Sequence, residues 1–274
     1  MDVRAAAVAG IFYPRESGEL GRTIQAMFAD TAGANPWLGP PKALIVPHAG
    51  YIYSGPIAAS AYAPLSRLRG IIQRVVLLGP THHVPVSGLA LPGTSAFDTP
   101  LGRVPVDAAA ADLLRPLTMV TTNPAAHARE HSIEVQLPFL QQVLGAFQLV
   151  PLAVGQATAQ SVAEVIEVLW GGLETLIVVS SDLSHYHAYD RAQALDNRTC
   201  ASISDLELLT SHDQACGATA VNGLLLAARH HRLTPHLLDL RNSGDTAGDH
   251  DRVVGYAAFA FTQEAAHDPS ARNH

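Results

Sequence analysis

Three short apolar runs, each followed closely by histidine, constrain the fold of this chain more than any other feature. The runs and their histidines are 43–46 with His48, 75–78 with His82 and His83, and 176–179 with His185. Unbroken apolar runs of this length are typical of strands that are buried on both faces of a parallel sheet. Because polar chemistry collects at the carboxyl ends of parallel strands, we expect these histidines to meet in one site.

Strand patterns alternate with helix patterns along nearly the whole chain. Ser17, Asp107 and Thr158 each stand where a helix N-cap is expected. The sequence therefore predicts one α/β domain over residues 1–274, with helices on both faces of a mostly parallel central sheet. The polar end, about 265–274, is expected to form a flexible tail.

Three further segments carry local predictions. Residues 121–130 are polar and predict a loop, whereas residues 205–210 predict a short helix. Residues 253–261 form a long apolar run that predicts a strand buried in the sheet.

Composition and charge exclude several classes of function. Hydrophobic residues make up 48% of the chain and charged residues 15%, which favours a large apolar core. The net charge is −7, from 17 basic and 24 acidic residues, so nucleic acid and anionic membrane are not expected partners. The sequence contains neither a membrane-spanning apolar stretch nor a signal-peptide pattern, and its two cysteines form no disulfide framework. We expect a soluble, cytoplasmic protein.

The histidines at two strand ends are candidate metal ligands. A mononuclear Fe(II) oxygenase site often uses two histidines and one carboxylate, which leaves positions open for substrate and oxygen. His48 and His82 are the predicted imidazole ligands, and Glu134, Asp182 or the thiolate of Cys216 are candidates for the third. Cys216 precedes a predicted helix, whose amide dipoles would lower the pKa of its thiol. The alternative is an inert, buried cysteine.

Four residues, two of them already named as possible ligands, are candidates for roles around such a metal. Asp182 and His185 form an Asp-x-x-His unit suited to acid/base chemistry, or else a turn cap beside a surface histidine. His131 and Glu134 share one face of a predicted helix. The carboxylate of Glu134 would then orient a histidine ligand, or else cap the helix.

Tyr51 and Tyr53 lie close to the first strand-end histidine and either line a pocket or pack in the core. Together with His83, His131 and Glu134, Tyr51 is predicted to surround the metal or the substrate.

An ordered set of motifs carries a family resemblance. The motifs lie at 9–14, 47–51, 79–84, 131–134, 180–185, 215–217 and 242–245. Together they resemble the Memo family, called AmmeMemoRadiSam system protein B in prokaryotes, over about residues 8–261. That resemblance implies a fold like that of the class III extradiol dioxygenases, which are non-haem Fe(II) enzymes that cleave catechols.

The resemblance also implies roles for individual residues. The family positions that match His48, His82 and Cys216 bind the metal, which is expected to be Fe(II), with copper or zinc as alternatives. The position that matches His185 resembles the acid/base histidine of the dioxygenases, with Asp182 beside it. The family name implies partnership with an AMMECR1-like protein and a radical SAM protein.

Three hypotheses for function follow from these observations. The first is a metal-dependent oxidoreductase of extradiol-dioxygenase type, which would bind a small, catechol-like chelating substrate and activate oxygen beside it, with His185 passing protons. The second is a non-catalytic module that binds a peptide or another protein on the same scaffold, with an incidental or regulatory metal. The third is a hydrolase with Cys216 as nucleophile and His185 or His48 as base.

Overall fold

A mixed sheet of nine strands forms the centre of the computed structural model, which describes residues 2–31 and 39–263. A smaller sheet of three strands, in the order β1-β5-β6, accompanies it within the same described residues. The strands are β1 (Val3–Arg4), β2 (Pro41–Val46), β3 (Arg74–Pro80), β4 (Leu89–Leu91), β5 (Ala96–Thr99), β6 (Gly102–Pro105), β7 (Val120–Thr122), β8 (Gln148–Val154), β9 (Thr175–Ser180), β10 (His185–His187), β11 (Leu233–Asn242) and β12 (Val253–Gln263).

The four central strands of the large sheet run parallel, in the order β2-β9-β3-β8. At one side, β12 pairs antiparallel with β2 and with both β10 and β11. At the other side, β4 pairs antiparallel with β8 and parallel with β7. The sheet is therefore mixed rather than mostly parallel as predicted, because an apolar run indicates that a strand is buried but not its direction.

Helices cover both faces of the large sheet, so the predicted three-layer α/β arrangement is confirmed. The helices are α1 (Ser17–Asp30), α2 (Tyr51–Tyr62), α3 (Ala108–Leu113), α4 (Pro124–Ala128), α5 (His131–Glu134), α6 (Leu137–Leu144), α7 (Ala159–Val168), α8 (Tyr189–Ser204) and α9 (Ala218–His230), with 3-10 helices at Ala63–Leu68 and Ser243–Asp245. Along β2, Leu44 and Val46 pack in a cluster with α1, α2 and α6. Ala43 and Ile45 face the opposite cluster with α7, α8 and α9.

Two of the three predicted helix caps are confirmed. The Asp107 carboxylate accepts a hydrogen bond from the backbone N–H of Ala110, and the Thr158 hydroxyl accepts one from that of Ser161. Helix α1 instead begins at Ser17 itself and has no side-chain cap. The long apolar run near the end of the chain forms β12, as predicted.

Two local predictions are wrong. The segment 121–130 contains the end of β7 and all of α4, which is capped by the Asn123 side chain. No helix forms over 205–210, because α8 ends at Ser204 and Leu206 has a φ of 57°, outside the right-handed helical region. The predicted tail at 265–274 lies outside the described residues. No helix within the described ranges is long and apolar enough to cross a membrane.

The parallel strands determine where the candidate site lies. His48 follows the last residue of β2 by two positions, His82 follows that of β3 by two, and Asp182 follows that of β9 by two. Since β2 and β3 both pair in parallel with β9, these residues emerge at the same edge of the sheet.

Candidate metal centre

Three histidine side chains converge at the carboxyl edge of the sheet. His48, His82 and His131 each offer a ring nitrogen, and these nitrogens all lie within 4.8 Å of one another. The ring centroids of His48 and His82 are 5.3 Å apart, and those of His82 and His131 are 4.7 Å apart. The structure thus brings His48 and His82 together, as predicted, and adds His131, which begins α5.

Hydrogen bonds determine which nitrogen of His48 faces the site. Its Nδ1 lies 2.9 Å from the hydroxyl oxygen of Ser180. That hydroxyl donates to the carbonyl of Ser132 and accepts from the Gln136 amide, so its only proton is already used. Nδ1–H of His48 must therefore be the donor to Ser180, which leaves the lone pair on Nε2. Burial and the neighbouring His82 lower the pKa of His48 to about 3, so the ring is neutral at neutral pH.

Glu130 holds His82 in place. Its carboxylate accepts from His82 Nδ1 at 2.9 Å, from the His82 backbone N–H at 2.6 Å and from the Ser132 backbone N–H at 2.9 Å. Burial opposes the charged forms, but the hydrogen bond and charge of Glu130 raise the pKa of His82. The same contacts lower the pKa of Glu130. A carboxylate bound to one ring nitrogen fixes the orientation of a histidine and makes its other nitrogen a better metal ligand.

Glu130, and not Glu134, makes the carboxylate contact to a histidine that the sequence analysis assigned to Glu134. Glu134 is fully buried, and its carboxylate accepts hydrogen bonds from the Arg4 guanidinium, two backbone N–H groups and the Tyr13 hydroxyl. It therefore ties the N-terminal segment to α5 instead of orienting a histidine. The position of Glu130 directly before α5 is the sequence feature that could have indicated an ordered carboxylate, since its side chain caps this helix.

Two other predicted pocket residues lie elsewhere. Tyr51 is buried in the core, where its hydroxyl donates to the carbonyl of Val135 at 2.7 Å and its ring packs 4.7 Å from that of Phe139. His83 is exposed, with its ring centroid 6.2 Å from that of His131. Of the two tyrosines considered, it is Tyr53 that lines the cavity at the histidines.

Cys216 lies beside His48, with its Sγ 3.3 Å from Nε2 of that ring. Gly217 permits this approach, since a Cβ there would lie 2.8 Å from the Cβ of Ser181. Burial and the nearby Asp182 raise the pKa of the Cys216 thiol to about 12, opposite to the lowering that its position before a helix predicted. In the absence of a cation the thiol is thus protonated. Its role as a metal ligand stays a prediction.

The predicted acid/base residues lie near the histidines. Asp182 is buried and accepts a hydrogen bond from the backbone N–H of His48 at 2.6 Å, and burial raises the pKa of its carboxyl group. His185 donates from Nδ1 to the carbonyl of Leu183 at 2.9 Å, so Nε2 is the nitrogen that can accept a proton.

One cavity of about 640 Å³ joins these groups. His48, His82, His131, Asp182 and His185 line it, together with Phe12, Tyr53, Tyr186, Arg252 and Tyr256. The Arg252 guanidinium lies 5.0 Å from the centroid of the Tyr186 ring at this wall. Apolar and aromatic walls with a few convergent polar groups are typical of a site for a small molecule.

A second cavity, of about 840 Å³, reaches Cys216 but is not lined by His48. Thr81, Gln156, His212 and Thr219 are among the residues that line it. The contact between Cys216 and His48 therefore stands between two cavities, and the thiol belongs to the wall of the second one.

Known proteins resemble this chain in sequence and in fold. The profile of the family described as Memo-like protein matches residues 4–260. A MEMO1 family protein of Ignicoccus hospitalis is 38% identical, covering 95% of this chain and 99% of its own length. A MEMO1 family protein of Methanopyrus kandleri is 36% identical, covering 94% and 98%. An uncharacterised protein of Escherichia coli K12 has a similar fold, with a TM-score of 0.50 and 13% identity over 79% of this chain and 98% of that one.

Proposed function

The chain belongs to the Memo-like family, and from that premise we propose that it is a metal-dependent oxidoreductase. We propose that His48, His82 and His131 hold one Fe(II) ion and that the adjoining cavity receives a small aromatic substrate. The observation that carries the proposal is the convergence of three ring nitrogens within 4.8 Å at that cavity.

The donor set suits a divalent transition metal. Imidazole binds iron, copper and zinc only in its unprotonated form. Burial lowers the pKa of His48 to about 3 and that of His131 to about 4, which keeps both rings neutral at neutral pH. His82 is oriented by Glu130 through Nδ1, which leaves Nε2 for the metal. Iron is preferred over copper and zinc because of the resemblance to the extradiol dioxygenases.

Cys216 is proposed as a further ligand on the His48 side. Its Sγ lies 3.3 Å from His48 Nε2, close to the roughly 3.5 Å that separates a thiolate and an imidazole on one tetrahedral ion. Ligation would require loss of the thiol proton, which a bound cation favours strongly.

The remaining side chains have separate tasks in this proposal. When bound, the ion supplies Lewis acidity and one-electron chemistry that side chains lack. Phe12, Tyr53 and Tyr256 would hold an aromatic ring between them and exclude water. Nε2 of His185 would accept a proton from a substrate hydroxyl and return it later, because the hydrogen bond from Nδ1 fixes this tautomer.

Metal content is the first test. We would purify the protein without oxygen or chelators and measure bound metal in the native chain and in His48→Ala, His82→Ala and His131→Ala. His83→Ala is the matched control, since this histidine is exposed and adjacent in sequence. We expect near-stoichiometric iron in the native and control proteins and its loss in the other three. Metal that is retained in all three variants would disprove the site.

Oxygen uptake tests the chemical step separately. With catechol-like substrates, His185→Gln should retain iron but consume oxygen much more slowly. If iron binds as proposed and no substrate of this class supports oxygen uptake, the oxidoreductase proposal fails while the metal site stands.

A further inference from the structure

A second group of potential metal ligands lies at the surface. Within the described residues, Glu167, His230 and His231 also offer donor atoms that all lie within 4.8 Å of one another. Glu167 belongs to the last turn of α7, and the two histidines lie at the last residue of α9 and its C-cap. None of the three lines the cavity at the central histidines.

The geometry of this group is already ordered. Nε2 of His231 lies 3.1 Å from Oε1 and 2.9 Å from Oε2 of Glu167. The ring of Trp170 stacks on the His231 ring, with centroids 3.6 Å apart and planes only 8° apart. The ring of His230 stands edge-on to that of His231 at 4.8 Å. Binding an ion would thus require little further loss of side-chain freedom.

The electrostatic setting favours a cation. Helices α7 and α9 both present their C-terminal ends here, and the unpaired carbonyl groups at a helix C-terminus carry partial negative charge. The helices pack closely because Gly223 of α9 faces Val162, where a Cβ would lie 2.3 Å from Cγ1. This contact fixes the relative position of the two helix ends.

One positive group near the cluster, Lys42, has hydrogen-bond partners of its own. The Lys42 ammonium lies 5.1 Å from the centroid of the Trp170 ring and donates hydrogen bonds to the carbonyl groups of Trp170, Gly172 and Thr175. It is therefore held on the tryptophan side of the cluster rather than on the carboxylate of Glu167.

We propose that Glu167, His230 and His231 form a second metal site that binds zinc, nickel or copper as the divalent ion. Two imidazoles and one carboxylate are a donor set that these ions prefer over magnesium and calcium. The ion would take the place of the hydrogen bond between Nε2 of His231 and the Glu167 carboxylate and would tie the end of α7 to the end of α9. This site is independent of the iron proposed at the central histidines.

Tryptophan fluorescence gives a direct test. The chain has two tryptophans, so Trp37→Phe leaves Trp170 as the only one. Cu(II) or Ni(II) bound beside the stacked His231 should quench Trp170 emission with a saturable dependence on metal concentration. Zn(II) does not quench tryptophan emission. Added Zn(II) should displace the bound Cu(II) or Ni(II), so that the emission of Trp170 recovers.

Variants separate the two sites. On the Trp37→Phe background, His230→Ala and Glu167→Gln should each abolish saturable quenching, whereas His82→Ala should leave it intact. Quenching that survives in His230→Ala and Glu167→Gln, or that disappears in His82→Ala, would overturn the proposal. So would a native protein that shows no saturable quenching up to millimolar metal.

A thermal readout provides a check that does not depend on fluorescence. On a His82→Ala background, Zn(II) should raise the unfolding temperature, because a ligand that binds only the folded state stabilises it. The same addition should have no effect once His230 is also replaced by alanine. An equal rise in both proteins would show that the stabilising ion binds elsewhere. Circular dichroism of each metal-free variant would establish that it is folded.

Discussion

The thiol of Cys216 and the imidazole of His48 face each other at 3.3 Å, and the imidazole atom in this contact is the one that carries the lone pair. Ser180 engages the opposite nitrogen, so the tautomer of His48 is fixed by the core rather than by the thiol. The pKa of His48 is lowered to about 3 and that of Cys216 is raised to about 12, both mainly by burial. The metal-free pair is thus neutral, not a thiolate–imidazolium pair.

The neutral pair predicts slow alkylation of the folded, metal-free protein at neutral pH. Only a thiolate reacts readily, and burial also raises the pKa of Cys200 to about 12. Iodoacetamide labelling followed by mass spectrometry, with Cys200→Ala as a control, would measure the rate at Cys216. Labelling as fast as in the denatured chain would instead favour the hydrolase hypothesis, in which Cys216 is an activated nucleophile.

Substitutions of two buried glutamates should have different effects, one on metal affinity and the other on stability. Glu130→Gln weakens the partner of His82, so metal affinity should fall by about 10- to 100-fold, the usual cost of losing a group that orients a ligand. Glu134→Gln breaks a buried ion pair with Arg4, so the free energy of unfolding should fall by about 3–5 kcal/mol with little change in metal affinity. Metal titration and urea denaturation of both variants measure the two effects. Equal effects of the two substitutions on metal affinity would contradict the assignment.

The metal-free protein should lose stability as the pH falls below about 6.5, the ordinary pKa of histidine. Folding lowers the pKa of His131 to about 4 and that of His48 to about 3, mainly through burial. Between these values and 6.5 the unfolded chain binds more protons, so the free energy of unfolding decreases on acidification. In His131→Gln, denaturation at a series of pH values should show a shallower decrease. A constant difference between the two proteins over that pH range would argue against the lowered pKa of His131.

Tyr51→Phe should destabilise the fold without affecting the site. The substitution leaves the buried carbonyl of Val135 without its donor, which costs about 1–3 kcal/mol. Tyr53→Phe is the matched variant, because this tyrosine lines the cavity instead. Urea denaturation should distinguish the two, and iron content should be the same in both. Weaker metal binding by Tyr51→Phe at unchanged stability would restore Tyr51 as a site residue.

The strand-end histidines could be predicted from the sequence because burial of a strand and the polarity of the residues after it are both local patterns. His48 and His82 therefore meet at the carboxyl edge of the sheet, as the apolar runs before them predicted. Strand direction is not a local pattern, so the antiparallel pairing of β12 with β2 could not be read from an apolar run.

The missed residues depend on contacts between distant segments. Glu130 orients His82 across 48 positions of sequence, from a segment whose polarity predicted only a loop. Burial of Cys216 outweighs the helix position from which a lowered pKa was predicted, because burial is a property of the whole fold. Tyr51 and Tyr53 are two positions apart, and only the fold shows that the first joins the core and the second the cavity.

The cavity has walls from distant parts of the chain, since Phe12 precedes every strand of the large sheet and Tyr256 belongs to its last one. All three clustered histidines are already present once residue 131 has been synthesised. The enclosure around them waits for β12, which pairs with β2 near the end of the described residues. During synthesis on the ribosome, the three histidines thus exist in the chain before the strand that encloses them. The order of chain growth therefore makes β12 the strand that completes the wall of the cavity around these histidines.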